Sequence, residues 1–227
     1  MNAVIYYSNT GQSRSIAEYF ASRLGYSVFS IENCANAHYE NVLLVFPVLC
    51  QNIPTAVKEF LKGLSVDNLS VIATYGKMCY GNVLYEIQNK YKKNIVSGAY
   101  LPTKHAYIEN DTEFCDYGKL EPIIQKIKAP SVIRLPRLYK NPLSNVFPSV
   151  RSRAGVMLYK NEKCNNCNIC AQNCSLGAIQ SGVANNKCIR CLKCVKLCPN
   201  RALSVKIRLP MRLYLKNKKR ERIIIYI

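Results

Sequence analysis

The chain has 227 residues, 49% hydrophobic and 20% charged, with a formal net charge of +19 and 12 cysteines. That length suits one ordinary domain and a small second one, and the composition excludes disordered and fibrous classes. No apolar run approaches the ~20 residues that span a bilayer, and Met1 to Tyr7 has neither a basic start nor a cleavage site, so a cytoplasmic protein whose cysteines bind metal is expected rather than a disulfide scaffold.

Residues 3–7 are apolar and β-prone, and they run into Ser8, Asn9, Thr10, Gly11, Gln12 and Ser13, after which Ile16, Ala17, Phe20 and Leu24 recur at helical spacing. Further strands are expected at 27–31, 42–48, 69–75 and 95–101, and helices around 56–64, 83–91 and 120–128. This alternation implies an α/β fold, a doubly wound parallel sheet with helices on both faces. Ligands of such sheets sit outside the carboxyl ends of the strands, so the loops after the first, third and fourth strands should converge. The first loop opens a helix, whose unpaired N–H groups and positive dipole end suit a phosphate; a hydroxyl-rich turn there also serves simply as a cap.

Residues 8–13 resemble the flavodoxin phosphate loop, [S/T]-x-T-G-x-[T/S], and the resemblance covers about residues 1–128. It implies a flavodoxin-like domain that binds FMN. The phosphate would lie on Ser8, Asn9, Thr10, Gly11, Gln12 and Ser13. The ring would be clasped by Pro47, Val48 and Leu49 and by Thr74, Tyr75, Gly76, Tyr80 and Gly81, with Tyr75 and Tyr80 as stacking candidates. Flavodoxins commonly carry glycines near the tip of the second loop, where this chain has Leu49, Cys50 and Gln51. Cys34, Cys50, Cys79 and Cys115 read as small hydrophobes without a ligand role, and His38 and His105 as surface or packing residues. Nothing resembles a Ser/His/Asp set or paired catalytic carboxylates.

The charge changes after residue 128: residues 129–227 hold 20 basic and 2 acidic side chains, +18 of the total +19. Pro130, Pro136, Pro142 and Pro148 prevent a long helix or central strand, so 129–158 reads as an extended basic connector or as a short helix and turns packed on the first domain.

Cys164, Cys167, Cys170 and Cys174 follow C-x2-C-x2-C-x3-C, and Cys188, Cys191, Cys194 and Cys198 repeat it 24 residues later, with Pro199 after the last. Paired C-x2-C spacings also suit tetrahedral zinc, which leaves the third and fourth cysteines of each run unexplained. The duplicated run resembles a bacterial-type two-cluster ferredoxin. The resemblance implies a small α+β domain over 159–205 with two [4Fe-4S] clusters, one on Cys164, Cys167, Cys170 and Cys198, the other on Cys188, Cys191, Cys194 and Cys174. Ser175 stands where the family usually has the proline that Pro199 supplies. Residues 206–227 read as a basic tail, dense in Lys216, Lys218, Lys219, Arg220 and Arg222.

Together the two halves resemble fused flavodoxin/ferredoxin proteins of anaerobic bacteria. The resemblance implies an electron-transfer iron–sulfur flavoprotein that passes electrons between FMN, two clusters and soluble redox proteins or a reductase. Two other readings stay open. One is an FMN-dependent reductase of a small organic substrate fed by the clusters, which ranks lower because flavodoxin-like loops cover the flavin closely. The other is a basic nucleic-acid or membrane-surface binder with structural clusters, for which the +18 half is the argument.

Overall fold

The structure, a computed structural model, describes residues 1–108, 110–145, 148–217 and 220–227; Lys218 and Lys219 of the basic run lie outside the described residues. The chain divides into two units, Met1–Asn141 with Arg220–Ile227, and Pro142–Lys219.

In the first unit, β1 (Asn2–Tyr6), α1 (Gln12–Leu24), β2 (Ser27–Ser30), β3 (His38–Pro47), α2 (Thr55–Gly63), β4 (Ser65–Tyr75), α3 (Val83–Lys90), β5 (Ile95–Pro102) and α4 (Glu121–Lys128) follow one another, each overlapping the element that periodicity predicts. The first five strands are parallel in the order β2-β1-β3-β4-β5. Strand alternation explains how one apolar run serves two layers. Val42, Leu44 and Phe46 pack with Val57, Leu61, Leu84 and Ile87, whereas Leu43 and Val45 pack with Ile16, Phe20, Ile123 and Ile127 on the opposite face. Each such side chain contributes about 1.5–3 kcal/mol by burial. The sheet direction switches between β1 and β3, which sets the loops after these strands at a crevice on the carboxyl edge.

Part of the expected connector belongs to this unit. The Ile133 N–H donates to Ile95 O at 2.8 Å, Gln88 Nε2 donates to Ile133 O at 2.7 Å, its Oε1 accepts the Leu135 N–H at 2.9 Å, and Leu135 is buried. This stretch is extended, as its prolines require.

The second unit holds α5 (Pro148–Gly155), β6 (Val156–Lys160), α6 (Ile169–Gln172), β7 (Ile179–Gln180), β8 (Val183–Ala184), α7 (Lys193–Leu197), β9 (Leu203–Ile207) and α8 (Leu209–Asn217). β6 pairs antiparallel with β9 and β7 with β8, which gives the unit the small α+β character expected of it.

The stretch read as a basic tail is more ordered than its charge suggests. α8 occupies 209–217, and β10 (Ile224–Tyr226) returns to the first unit, antiparallel to β5. The reason is apolar alternation in the last residues: Ile224 and Tyr226 pack against one core, Ile223 and Ile225 against the other. All eight residues of β5 are buried, and β10 pairs the edge that this apolar strand would otherwise expose. The result is a mixed α/β structure whose central sheet has six strands, five of them parallel.

Tyr75 locks the return. Its ring is buried, its hydroxyl donates to Arg222 O at 2.6 Å and accepts the Arg222 N–H at 3.2 Å, and burial pushes the phenol up to about 12. Tyr75→Phe leaves two backbone groups without partners and is expected to cost about 1–3 kcal/mol. Amide exchange at 224–226 should accelerate with it; unchanged exchange would mean that the β5 ladder alone holds the last strand.

Candidate functional site

The two cysteine runs fold as a structural duplication. Asn166 and Asn168 have φ of 57° and 59°, and their counterparts 24 positions later, Arg190 and Leu192, have 57° and 63°. Left-handed backbone is ordinary for Asn and costly for Arg and Leu, so the second run holds its turns against propensity. α6 and α7 begin at equivalent positions, 169 and 193. The N–H groups of Ala178 and Ala202 donate to the sulfurs of Cys174 and Cys198, each at 3.3 Å. Gly177 and Arg201 donate back to the carbonyls of Cys174 and Cys198 at 2.9 and 3.1 Å, so Ser175 permits the same turn as Pro199.

The repeats are also interlocked. The Asn161 N–H donates to Ala202 O and the Asn185 N–H to Ala178 O, both at 2.9 Å, so the start of each repeat pairs with the end of the other. This exchange brings Cys198 to the first run. Cys164, Cys167, Cys170 and Cys198 together line a solvent-open hollow, completed by Asn165, Asn168, Ser181, Gly182 and Asn200 among others. The β7–β8 hairpin supplies part of that wall through a tight turn at Ser181 (φ 45°) and Gly182 (φ 78°), and Asn168 Oδ1 holds the turn by accepting the Ser181 N–H at 3.1 Å. Across the repeat, burial pushes the Cys194 thiol up to about 12, with Cys191, Cys188 and Cys170 adding to it; burial raises Cys191 as well, with Cys188 and Cys174 adding to it. Among the described residues no three His, Cys, Asp or Glu side chains group as ligands of one ion; the four thiols of the hollow line its wall instead.

In the first unit the loops after β1, β3 and β4 occupy the carboxyl edge. Ser8 Oγ accepts the Gly11 N–H at 3.1 Å, and Gly11 has φ 93° with no heavy atom within 4 Å of where a Cβ would stand. No side chain caps α1 and no carboxylate lies in its first turn. The Asn9 side-chain nitrogen is buried and makes no hydrogen bond. Thr10 is half-buried in the same loop. Gln12 reaches Glu113 at 3.2 Å, and Ser13 is buried with Oγ 2.9 Å from Thr74 Oγ1, so Ser13 ties the helix to β4.

In the second loop, Pro47 ends β3, the Val48 N–H donates to Thr74 O at 2.7 Å, and Leu49 and Asn52 pair around Cys50 (φ 50°) and Gln51 (φ 65°). Two non-glycine residues thus take the conformation for which glycine is usual at this tip. Gly81 (φ 66°) lies so close over Gln51 that a Cβ would stand 2.6 Å from its carbonyl oxygen. Gly76 is packed against the His105 ring. Tyr75, expected to face a ring, is an interior residue. Tyr80 is half-buried, its centroid 5.2 Å from Tyr75 and 4.6 Å from Tyr100.

Residues 183–204 match the 4Fe-4S binding domain family, so the chain contains a ferredoxin-type iron–sulfur domain there. The match spans the second cysteine run. No match was found among curated protein sequences. Among solved structures, the Trp repressor binding protein from Bacillus subtilis is similar over 58% of this chain and 100% of its own, at 17% identity and a TM-score of 0.37.

One cluster of charges went unread in the sequence because its members lie 34 and more residues apart. Lys77, 5% exposed, donates to Asp111 Oδ1 at 2.8 Å and to Thr112 O at 3.0 Å, with Glu221 at 3.4 Å. Burial opposes both charges, yet the pairing keeps Lys77 above and Asp111 below their usual values. Asp111 Oδ2 also accepts the His105 N–H at 2.8 Å. Burial lowers His105 from 6.5 to about 4, against the pull of Asp111. The unfolded chain therefore takes up this proton first as pH falls, so the contribution is intact above about 6.5 and is lost progressively down to about 4. Between about pH 7 and pH 4.5 the native protein should lose about 2 kcal/mol more than His105→Gln in denaturant unfolding; parallel pH profiles would show that the ring takes up its proton at the same pH folded as unfolded.

Proposed function

We propose that the chain transfers electrons through two [4Fe-4S] clusters in its second unit, in exchange with FMN at the carboxyl edge of its first and with soluble redox proteins or a reductase. Cys164, Cys167, Cys170 and Cys198 hold one cluster in this reading, and Cys188, Cys191, Cys194 and Cys174 the other. The observation that carries it is Cys198 in the wall of a hollow otherwise lined by cysteines of the first run. Zinc is served by two adjacent C-x2-C pairs and gives no reason for a fourth thiol to come from the other repeat. When bound, the clusters supply one-electron and FMN two-electron chemistry. The protein's own part is to hold and tune. The Ala178 and Ala202 N–H groups stabilise thiolate charge on Cys174 and Cys198, and Lys and Arg beside the runs offset the anionic sites.

Support for FMN comes from the first loop. Asn9 offers a buried, unpartnered donor, α1 is uncapped, and the space above Gly11 is open. These features fit a phosphate better than they fit a self-sufficient cap. The order β2-β1-β3-β4-β5 is that of flavodoxin-like sheets, an order shared by proteins of several functions, so the loop carries the argument. Asn9, Thr10, Gly11 and the first N–H groups of α1 are assigned to the phosphate, with Ser8 and Gln12 flanking and Ser13 bracing from below. Val48, Leu49, Gly76 and Tyr80 are assigned to the ring, and Pro47, Thr74, Tyr75 and Gly81 to the frame behind them.

Anaerobic purification should yield about eight irons and about eight sulfides per chain, as two [4Fe-4S] clusters require. Cys174→Ala should damage the cluster of the second run although it lies in the first. Spectroscopic loss confined to the cluster on Cys164, Cys167 and Cys170 would rule out the crossed assignment.

Asn9→Asp keeps the side chain's shape and replaces a donor by a negative oxygen. FMN affinity should fall at least tenfold, about 1.4 kcal/mol, measured by fluorescence titration, with iron content unchanged. Undiminished flavin binding would reduce the loop to a helix start.

A further inference from the structure

The second unit carries far more positive charge than its own residues can neutralise. Pro142–Lys219 contains 15 Lys and Arg against one carboxylate, Glu162, a net of +14. Anionic clusters, on the reading above, offset only part of that. Three of these cations adjoin residues that line the cysteine-bearing hollow, two in sequence and one by packing. Lys163 precedes Cys164, and Arg201 stands between Asn200 and Ala202, which line the wall. The Lys160 side chain lies against Gly182, itself a wall residue, where a Cβ would come within 2.7 Å of Lys160 Cδ. All three are exposed. Arg201 is also held at φ 50° where its counterpart in the first repeat is Gly177, so a cation occupies a backbone position that favours glycine.

Exposed apolar side chains also neighbour these residues in sequence. Val183, next to Gly182, is 63% exposed, Leu197, next to Cys198, 41%, and Tyr159, next to Lys160, 40%. Exposed Val and Leu among cations, beside a solvent-open hollow lined by four partly exposed cysteines, is the mixture of apolar contact and charged rim by which proteins recognise each other.

We propose that the mouth of this hollow, with Lys160, Lys163 and Arg201 as its cations and Val183 and Leu197 as its apolar contacts, is the docking face for an acidic electron-carrier protein. The proposal rests on the cluster reading above, which makes the hollow a redox centre. Docking forms no covalent bond. Carboxylates of the carrier meet the three cations, its apolar patch covers Val183 and Leu197, and long-range attraction steers the encounter. Ordinarily it is an acidic electron carrier that seeks a basic partner; here the iron–sulfur unit is the basic member of the pair.

The test uses the iron-loaded full chain and an acidic bacterial ferredoxin as probe, with affinity read by titration calorimetry and cluster content by absorbance. The acidic ferredoxin should bind, more weakly as salt rises, while the basic protein cytochrome c does not. Lys163→Glu and Arg201→Glu should each weaken binding about fivefold, equivalent to about 1 kcal/mol, with cluster absorbance unchanged. Lys216→Glu, an exposed cation of α8 outside the wall, should change it less than about twofold. Val183→Ser should weaken binding without altering its salt dependence. Equal losses at Lys216 and Lys163, or tighter binding to duplex DNA or to phosphatidylserine vesicles than to the ferredoxin, would overturn the docking face while leaving the clusters intact. A chain that takes up no iron would overturn the cluster reading and the docking face with it.

Discussion

The two cysteine runs are tied to each other by hydrogen bonds between the repeats, and the rest of the second unit follows from that constraint. The reciprocal Asn161–Ala202 and Asn185–Ala178 hydrogen bonds then deliver Cys198 to the first run. A segment with so few buried side chains, among them Ala178, Ile179, Leu192, Ala202 and Leu203, has little apolar burial with which to offset the entropy of ordering it. Hydrogen bonds exchanged between the repeats supply part of what the core lacks. The left-handed Arg190, Leu192 and Arg201 accord with this: strained backbone persists where surrounding interactions over-determine it.

The path of the chain has a consequence for the first unit. Its sheet is completed by a strand that arrives after the whole of Pro142–Lys219 has intervened. Closing so long a loop costs little more than closing one half its length, about 0.6 kcal/mol per doubling. The β10 ladder, the alternating Ile223 to Tyr226 and the Tyr75–Arg222 hydrogen bonds can therefore hold the last strand with modest local energy. Lys77 adds a second tie, since its carbonyl accepts the Arg220 N–H and its ammonium lies near Glu221. The buried Lys77–Asp111 pair is better understood as a device for fixing three segments in one arrangement than as a large source of stability, because desolvation consumes much of its attraction.

The same residues explain why the carboxyl edge differs from the expectation drawn from its loops. Tyr75 was a candidate for an exposed aromatic face, but the returning strand claims its hydroxyl and the core claims its ring. Ser13 likewise faces Thr74 rather than the loop. At this edge the Asn9 side-chain nitrogen is buried without a hydrogen-bond partner among the described residues, Gly11 faces open space, and α1 starts without a side-chain cap.

The sequence by itself determined the elements of the first unit and the duplicated cysteine runs of the second. Both signals are local: an apolar period of two or 3.6 residues, and a cysteine spacing repeated after 24 positions. The 4Fe-4S family match over 183–204 rests on the same kind of signal. It also made the loop Ser8 to Ser13 legible as a helix-opening turn, since small and hydroxyl residues before an amphipathic run need no tertiary context. Only the tertiary structure decided that the charged C-terminal stretch ends in a strand of the sheet, because β10 is three residues long and its partner, β5, lies more than 120 positions earlier. It alone joined Lys77 to Asp111 and Glu221, turned Tyr75 inward and brought Cys198 beside Cys164. Those pairings depend on which distant surfaces bury each other, and no periodicity along the chain encodes that.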